Sequence, residues 1–150
     1  MTDLPQLLLI NGDKEQRETL LRYISSLSRY EVVEAASGAV AVALLKKLDI
    51  QCIVSDIHLE GIDGWRLVRM VRSGVLNCAE TTPFIVVTST WCKRIAETTA
   101  REFDIDQLIP FSQYHRLKDY LVEGARSLDL ARKNRILAIE DSEETATLIQ

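Results

Sequence analysis

The chain has 150 residues, 47% of them apolar and 27% charged, with a formal net charge of −4. That is enough chain for one domain with its own core, and the composition excludes disordered, collagen-like and coiled-coil classes. The mild acidity gives no general attraction to nucleic acid or to anionic membranes, so neither is expected as a partner.

Three cysteines, Cys52, Cys78 and Cys92, are widely spaced and form no CxxC pair. Neither a zinc site nor a disulfide framework is indicated, and reduced thiols suit a cytoplasmic protein. Cys52 lies in an apolar run and reads as a buried thiol. The N-terminal segment lacks a basic flank, and Leu7-Leu8-Leu9-Ile10 is too short for a signal-peptide core. No run approaches the ~20 apolar residues of a membrane span.

In chain order, Leu7–Ile10 reads as a buried strand. The stripe Leu20, Leu21, Ile24, Leu27 then reads as a helix. Glu31–Ala35 is a second, more polar strand, as suits a sheet edge. Val40, Leu44 and Leu48 form a second stripe, with Ser37 as N-cap. Ile50–Val54 is the third strand, followed by the stripe Leu67, Val68, Val71, Val75. Phe84–Val87 is the fourth, followed by a weaker stripe, Ile95, Thr99, Phe103. Gln107–Ile109, before Pro110, is a short fifth strand, and Leu117, Leu121, Ala125, Leu128 make the last helix. Continuous apolar strands imply burial on both faces. Five β-α units predict a doubly wound α/β fold, a parallel five-stranded sheet flanked by five helices. Its working site is expected at the carboxyl ends of the strands.

The residues at those ends are Asn11, Gly12 and Asp13, then Ser55 and Asp56, then Thr88 and Ser89, then Ile109, Pro110 and Phe111. An aspartate facing a hydroxyl is what phosphoryl transfer to a carboxylate uses. Equally, Asp56 could cap a turn and Thr88 could be an ordinary β-branched strand end.

The segment Ile53-Val54-Ser55-Asp56 through Asp63-Gly64-Trp65 resembles the phosphoacceptor segment of response-regulator receiver domains. Phe84–Ser89 is similar to their fourth strand with its Thr/Ser switch, and Ile109-Pro110-Phe111 to their Lys-Pro-Phe. The resemblance implies a flavodoxin-like sheet of order 2-1-3-4-5 and two-component (phosphorelay) signalling. It puts Asp56 at the phosphoacceptor position and Thr88 at the switch-hydroxyl position. It also exposes departures. The Mg²⁺-binding acidic pair is replaced by Asn11 and Gly12, with Asp13 one step late. The lysine is Ile109, the aromatic switch position is Asp106, and Glu60 stands for a proline. Asp56 and the His58 backbone carbonyl would be the remaining Mg²⁺ ligands. The expectation is a degenerate receiver that binds no cofactor, is weakly or not phosphorylated, and acts by protein contact. The competing expectation is a competent, Mg²⁺-dependent receiver phosphorylated on Asp56 by a histidine kinase. Expected partners are a histidine kinase or phosphotransfer protein, or another signalling domain in the same polypeptide; a homodimer is a further option. An enzyme of another class, such as a small hydrolase, lacks a base and oxyanion donors.

His58 reads as an exposed loop histidine, Trp65 as packing, and Trp91 as helix-flank cover or a contact residue. Receiver-like sequence spans 1–131. The basic stretch Arg126–Arg135, with no interleaved aromatics to suggest nucleic-acid binding, reads as a solvated linker. Ile136–Ile139 repeats the layout of the first strand, this time followed by an intact acidic pair, Glu140 and Asp141, so 132–150 is expected to be a linker and the opening of a second receiver; the alternative is a C-terminal strand-helix tail of the same domain.

Overall fold

A computed structural model describes residues 4–90, 102 and 104–122. Five parallel strands, β1 (Gln6–Ile10), β2 (Glu31–Ala35), β3 (Ile50–Ser55), β4 (Phe84–Thr88) and β5 (Gln107–Pro110), form one sheet of order β2-β1-β3-β4-β5. The described helices are α1 (Lys14–Ser26), α2 (Gly38–Leu45), α3 (Gly64–Arg72) and α4 (Leu117–Leu121). A 3₁₀ turn, Phe111–Arg116, leads into α4. The fourth predicted helical stripe, Ala125 and Leu128, Trp91, Cys92 and the segment 132–150 with Glu140 and Asp141 lie outside the described residues.

Alternation along the strands sorts the core onto the two faces of the sheet. Leu8, Ile10, Ile53 and Val86 pack with Leu45, Leu67, Val68 and Val71, under α2 and α3. Leu7, Leu9, Val54, Ile85, Val87 and Ile109 pack with Leu20, Ile24, Leu117 and Leu121, under α1 and α4. The strands β1 and β4 are buried almost throughout, while β2 is partly exposed, as its polar edge sequence requires.

Each helix start from α1 to α3 is built from a local side-chain cap. Asp13 accepts from Gln16 N at 3.0 Å, Ser37 from Val40 N at 3.2 Å, and Asp63 from Arg66 N at 2.8 Å. Two predicted stripes need correction. In α2 the buried residues are Gly38, Ala41, Val42 and Leu45, whereas Val40 is 47% exposed. The helix is apolar nearly all round, so its sequence carries little phase. Val75 is 67% exposed because α3 has already ended, and Gly74 turns the chain at φ +79°. Trp65 packs against the α3 side of the core, Cys52 is buried, and His58 is exposed, each as expected.

Candidate functional site at the carboxyl ends of the strands

The ends of β1, β3 and β4 bring Asn11, Asp56 and Thr88 together. Asp56 N donates to Ile10 O at 2.9 Å, locking the end of β3 to β1. Asp56 is 8% exposed, and its Oδ1 accepts from Ile57 N at 2.7 Å. Behind it, α3 begins at a glycine for a steric reason. A Cβ at Gly64 would lie 2.6 Å from the Asp56 carbonyl oxygen. The Asp-Gly pair therefore serves two ends: Asp63 caps α3, and Gly64 lets the helix approach the site.

Asn11 is fully buried. Its Oδ1 accepts from Asp13 N at 2.7 Å and its Nδ2 donates to Gln16 Oε1 at 3.2 Å. Its carbonyl accepts from Arg17 Nη1 at 2.7 Å, while Arg17 Nε lies 3.4 Å from Glu34 Oε1. Sequence reasoning misses Arg17. The one signal available is a basic residue in the first turns of α1, next to the strand ends. Gly12 has no side chain, and Asp13 is turned to its capping role.

Thr88 is fully buried at the tip of β4 and pairs in register with Pro110. Its Oγ1 lies 3.1 Å from Thr90 Oγ1 and accepts from Thr90 N at 3.2 Å. Thr90 Oγ1 is in turn 2.8 Å from His58 Nε2. Beside Thr88 a cleft of about 390 Å³ is lined by Ser89, Pro110, Phe111, Ser112 and Gln113. Ile109, one register step below, is fully buried in the apolar layer under α1 and α4.

Asp106 is not part of this end. It precedes β5 at the opposite, amino-terminal edge of the sheet, where its Oδ2 accepts from Phe84 N at 2.8 Å and from Arg72 Nη2 at 3.2 Å. Its side chain is 1% exposed. Asp106 is thus a buried, hydrogen-bonded carboxylate that ties β5 to β4 and α3. Its partner Arg72 gives no local sequence signal, because the contact joins residues 34 positions apart.

The profile of the "Response regulator receiver domain" family matches residues 7–110. The transcriptional regulatory protein AfsQ1 of Streptomyces coelicolor is 31% identical over 144 residues, covering 95% of this chain; the chain spans 55% of that protein's length. Among solved structures, a protein described as adenylate cyclase from Rhodopirellula baltica superposes with a TM-score of 0.70 at 20% identity, covering 93% of this chain and 99% of that one. A LuxR-family DNA-binding response regulator from Staphylococcus aureus superposes with a TM-score of 0.67 at 20% identity, covering 84% and 99%. With the profile spanning the whole sheet from β1 to β5, the chain belongs to the response regulator receiver domain family.

Proposed function

We propose that this receiver acts by protein contact in two-component signalling, with Asp56 kept at the phosphoacceptor position but weakly or not phosphorylated. The observation that carries this reading is Asn11. At the end of β1, both polar atoms of its side chain are spent inside the α1 cap. A divalent cation there would need anionic oxygen. Asp56 offers one carboxylate, Gly12 offers none, and the Arg17 guanidinium already holds the Asn11 carbonyl. The donor set does not fit Mg²⁺. The cation that would face a phosphoryl group from β5 is also missing, since Ile109 sits in the apolar layer. Phosphoryl oxygens attached at Asp56 would lack a fixed positive charge from β5, one that such transfer relies on.

The partners this role implies are a histidine kinase, a phosphotransfer protein or a second signalling domain in the same polypeptide. A second reading, a receiver that is phosphorylated on Asp56, draws on one feature: Asp56 and Thr88 still stand at the tips of neighbouring strands. Intact-mass measurement after incubation with acetyl phosphate and Mg²⁺ separates the two. The expected mass is that of the unmodified chain. A phosphoryl adduct mapped to Asp56 overturns the contact-only reading.

A further inference from the structure

Two loops border Asp56. One comes after β3 and carries His58; the other comes after β4 and carries Ser89 and Thr90. They are joined directly, His58 Nε2 to Thr90 Oγ1 at 2.8 Å, across 32 positions of sequence. Thr90 continues the chain of contacts inward. Its Oγ1 is 3.1 Å from Thr88 Oγ1, and its N–H donates to that same oxygen at 3.2 Å. A hydroxyl has one proton and two lone pairs, so Thr90 can satisfy His58 and Thr88 together. The Thr88 oxygen is thereby engaged within its own loop, while the Asp56 carboxylate takes its hydrogen bond from Ile57 N.

From this relay we infer that His58 is a positioning residue. Acting through Thr90, it holds the Thr88 hydroxyl and the loop after β4 in one arrangement, tied to the loop after β3. The relative placement of the two loops that border Asp56, which is what this end of the sheet would present to a partner, is then tied to the His58–Thr90 bond. Neither bonded side chain belongs to the core, since both residues are exposed. Removing the bond should therefore loosen the loops without unfolding the sheet. The inference deepens the contact-module reading and rests on it, but its test uses no phosphate.

The test is NMR on the full ¹⁵N-labelled chain, reading the His58 ring nitrogens and hydrogen exchange at the Thr90 amide. In Thr90→Val the ring nitrogens should move to the values of a free histidine, and in Thr90→Ser, which keeps the hydroxyl, they should return to the wild-type positions. In His58→Phe the Thr90 amide should exchange about fivefold faster, the effect of losing one modest hydrogen bond. The amides of β1 and β3 should be unchanged, which guards against global unfolding; should His58→Phe fail that check, His58→Ala, which also removes the hydrogen-bonding ring, takes its place. Wild-type ring signals in Thr90→Val, or an unchanged Thr90 amide after His58 replacement, would overturn the inference. A phosphoryl adduct on a chain whose relay signals are intact would instead overturn the contact-only reading and leave the positioning role standing.

Discussion

Arg72, at the end of α3, pairs with Asp106, just before β5, at 3.2 Å from Nη2 to Oδ2, and both side chains are largely withdrawn from water. The same guanidinium donates to the carbonyls of Asp104, Glu80 and Thr82, at 3.0, 3.0 and 2.6 Å. Asp106 reciprocates with Phe84, accepting from its N–H and donating its own N–H to the Phe84 carbonyl. One cation thus gathers the end of α3, the approach to β4 and the approach to β5. A planar fork with five N–H donors suits this task where a lysine does not.

Breaking the pair from one side leaves a buried charge and several carbonyls without their donor. Arg72→Met should cost about 3–5 kcal/mol in urea unfolding, the range for a buried ion pair cut on one side. Arg72→Lys should recover only part of it, because an ammonium reaches fewer of these acceptors. Loss of less than ~1 kcal/mol in Arg72→Met would show that water replaces the fork at little cost.

Restoring charge at the strand ends should raise labelling of Asp56. In Asn11→Asp, Gly12→Asp, Ile109→Lys together, two carboxylates and a cation return around one group, so their effects should exceed the sum of the single changes. Position 12 has room, since a Cβ there would meet Ala36 O at an ordinary 3.5 Å. Position 109 is harder. Ile109 is fully buried among apolar side chains, so Ile109→Lys gives up about 1.5–3 kcal/mol of burial. The single Ile109→Lys variant should accordingly be less stable and still unlabelled. Acetyl phosphate labelling with peptide mapping, beside urea unfolding of each variant, checks both halves. A folded triple variant that stays unlabelled would show that charge is not what the site lacks.

Much of this architecture is legible in the residues themselves. Leu7–Ile10 and Phe84–Val87 are strands because continuous apolar runs of that length bury both faces, and Ile50–Val54 follows them apart from the exposed Gln51; the observed β3 and β4 extend one residue further, to Ser55 and Thr88. Asp56 and Thr88 are legible as candidates because they are polar residues just past apolar runs, Thr88 directly and Asp56 after Ser55, which is where a parallel sheet places its site. The fold hides other things. The α2 face is ambiguous in sequence because Gly38–Leu45 is apolar on every side. The 3₁₀ turn at Phe111–Arg116 is held in part by long-range contacts that no local pattern announces: Tyr23 Oη donates to His115 O at 2.8 Å, and the Tyr23 ring meets Tyr114 edge-on at 5.3 Å. Arg72, Arg17 and Thr90 act through partners that only the folded topology brings near, so no local period marks them.

Stability should fall in alkali. Burial pushes the Cys52 thiol up from 9.0 to about 12, and Tyr30 is also raised, first by desolvation and then by the nearby thiol. Between pH 9.0 and about 12 the unfolded chain has released the Cys52 proton while the folded chain keeps it. Unfolding is therefore favoured as pH rises, and the contribution is fully present below pH 9.0. The slope should approach about 1.4 kcal/mol per pH unit for each such group. Cys52→Val, which keeps an apolar side chain in place, should flatten the decline relative to the parent. Parallel curves for the two proteins between pH 8 and 11, on the order of the window set by the thiol, would remove Cys52 from the account.

Gly38 should be irreplaceable for a reason unrelated to backbone freedom. It opens α2 directly against the loop that carries His58, and a Cβ there would fall 1.8 Å from Ile62 O and 2.7 Å from Ile62 C. Those are backbone atoms, so no side-chain rotamer relieves the overlap. Either the first turn of α2 lifts from the sheet or the loop after β3 moves. Gly38→Ala should therefore lower stability by about 1–3 kcal/mol, the usual cost of overpacking, with a larger loss if Ile62 cannot yield. Gly12→Ala provides the control, because its 3.5 Å contact is ordinary and the change should be close to neutral. If the loop is what yields, the His58 ring signals should shift in Gly38→Ala while the amides of β1 and β3 hold their positions. If α2 yields instead, the ring signals stay and the amides of Ala41 and Val42 lose protection. An alanine variant as stable as the parent, with neither change, would mean that α2 and this loop do not meet at Ile62 in solution.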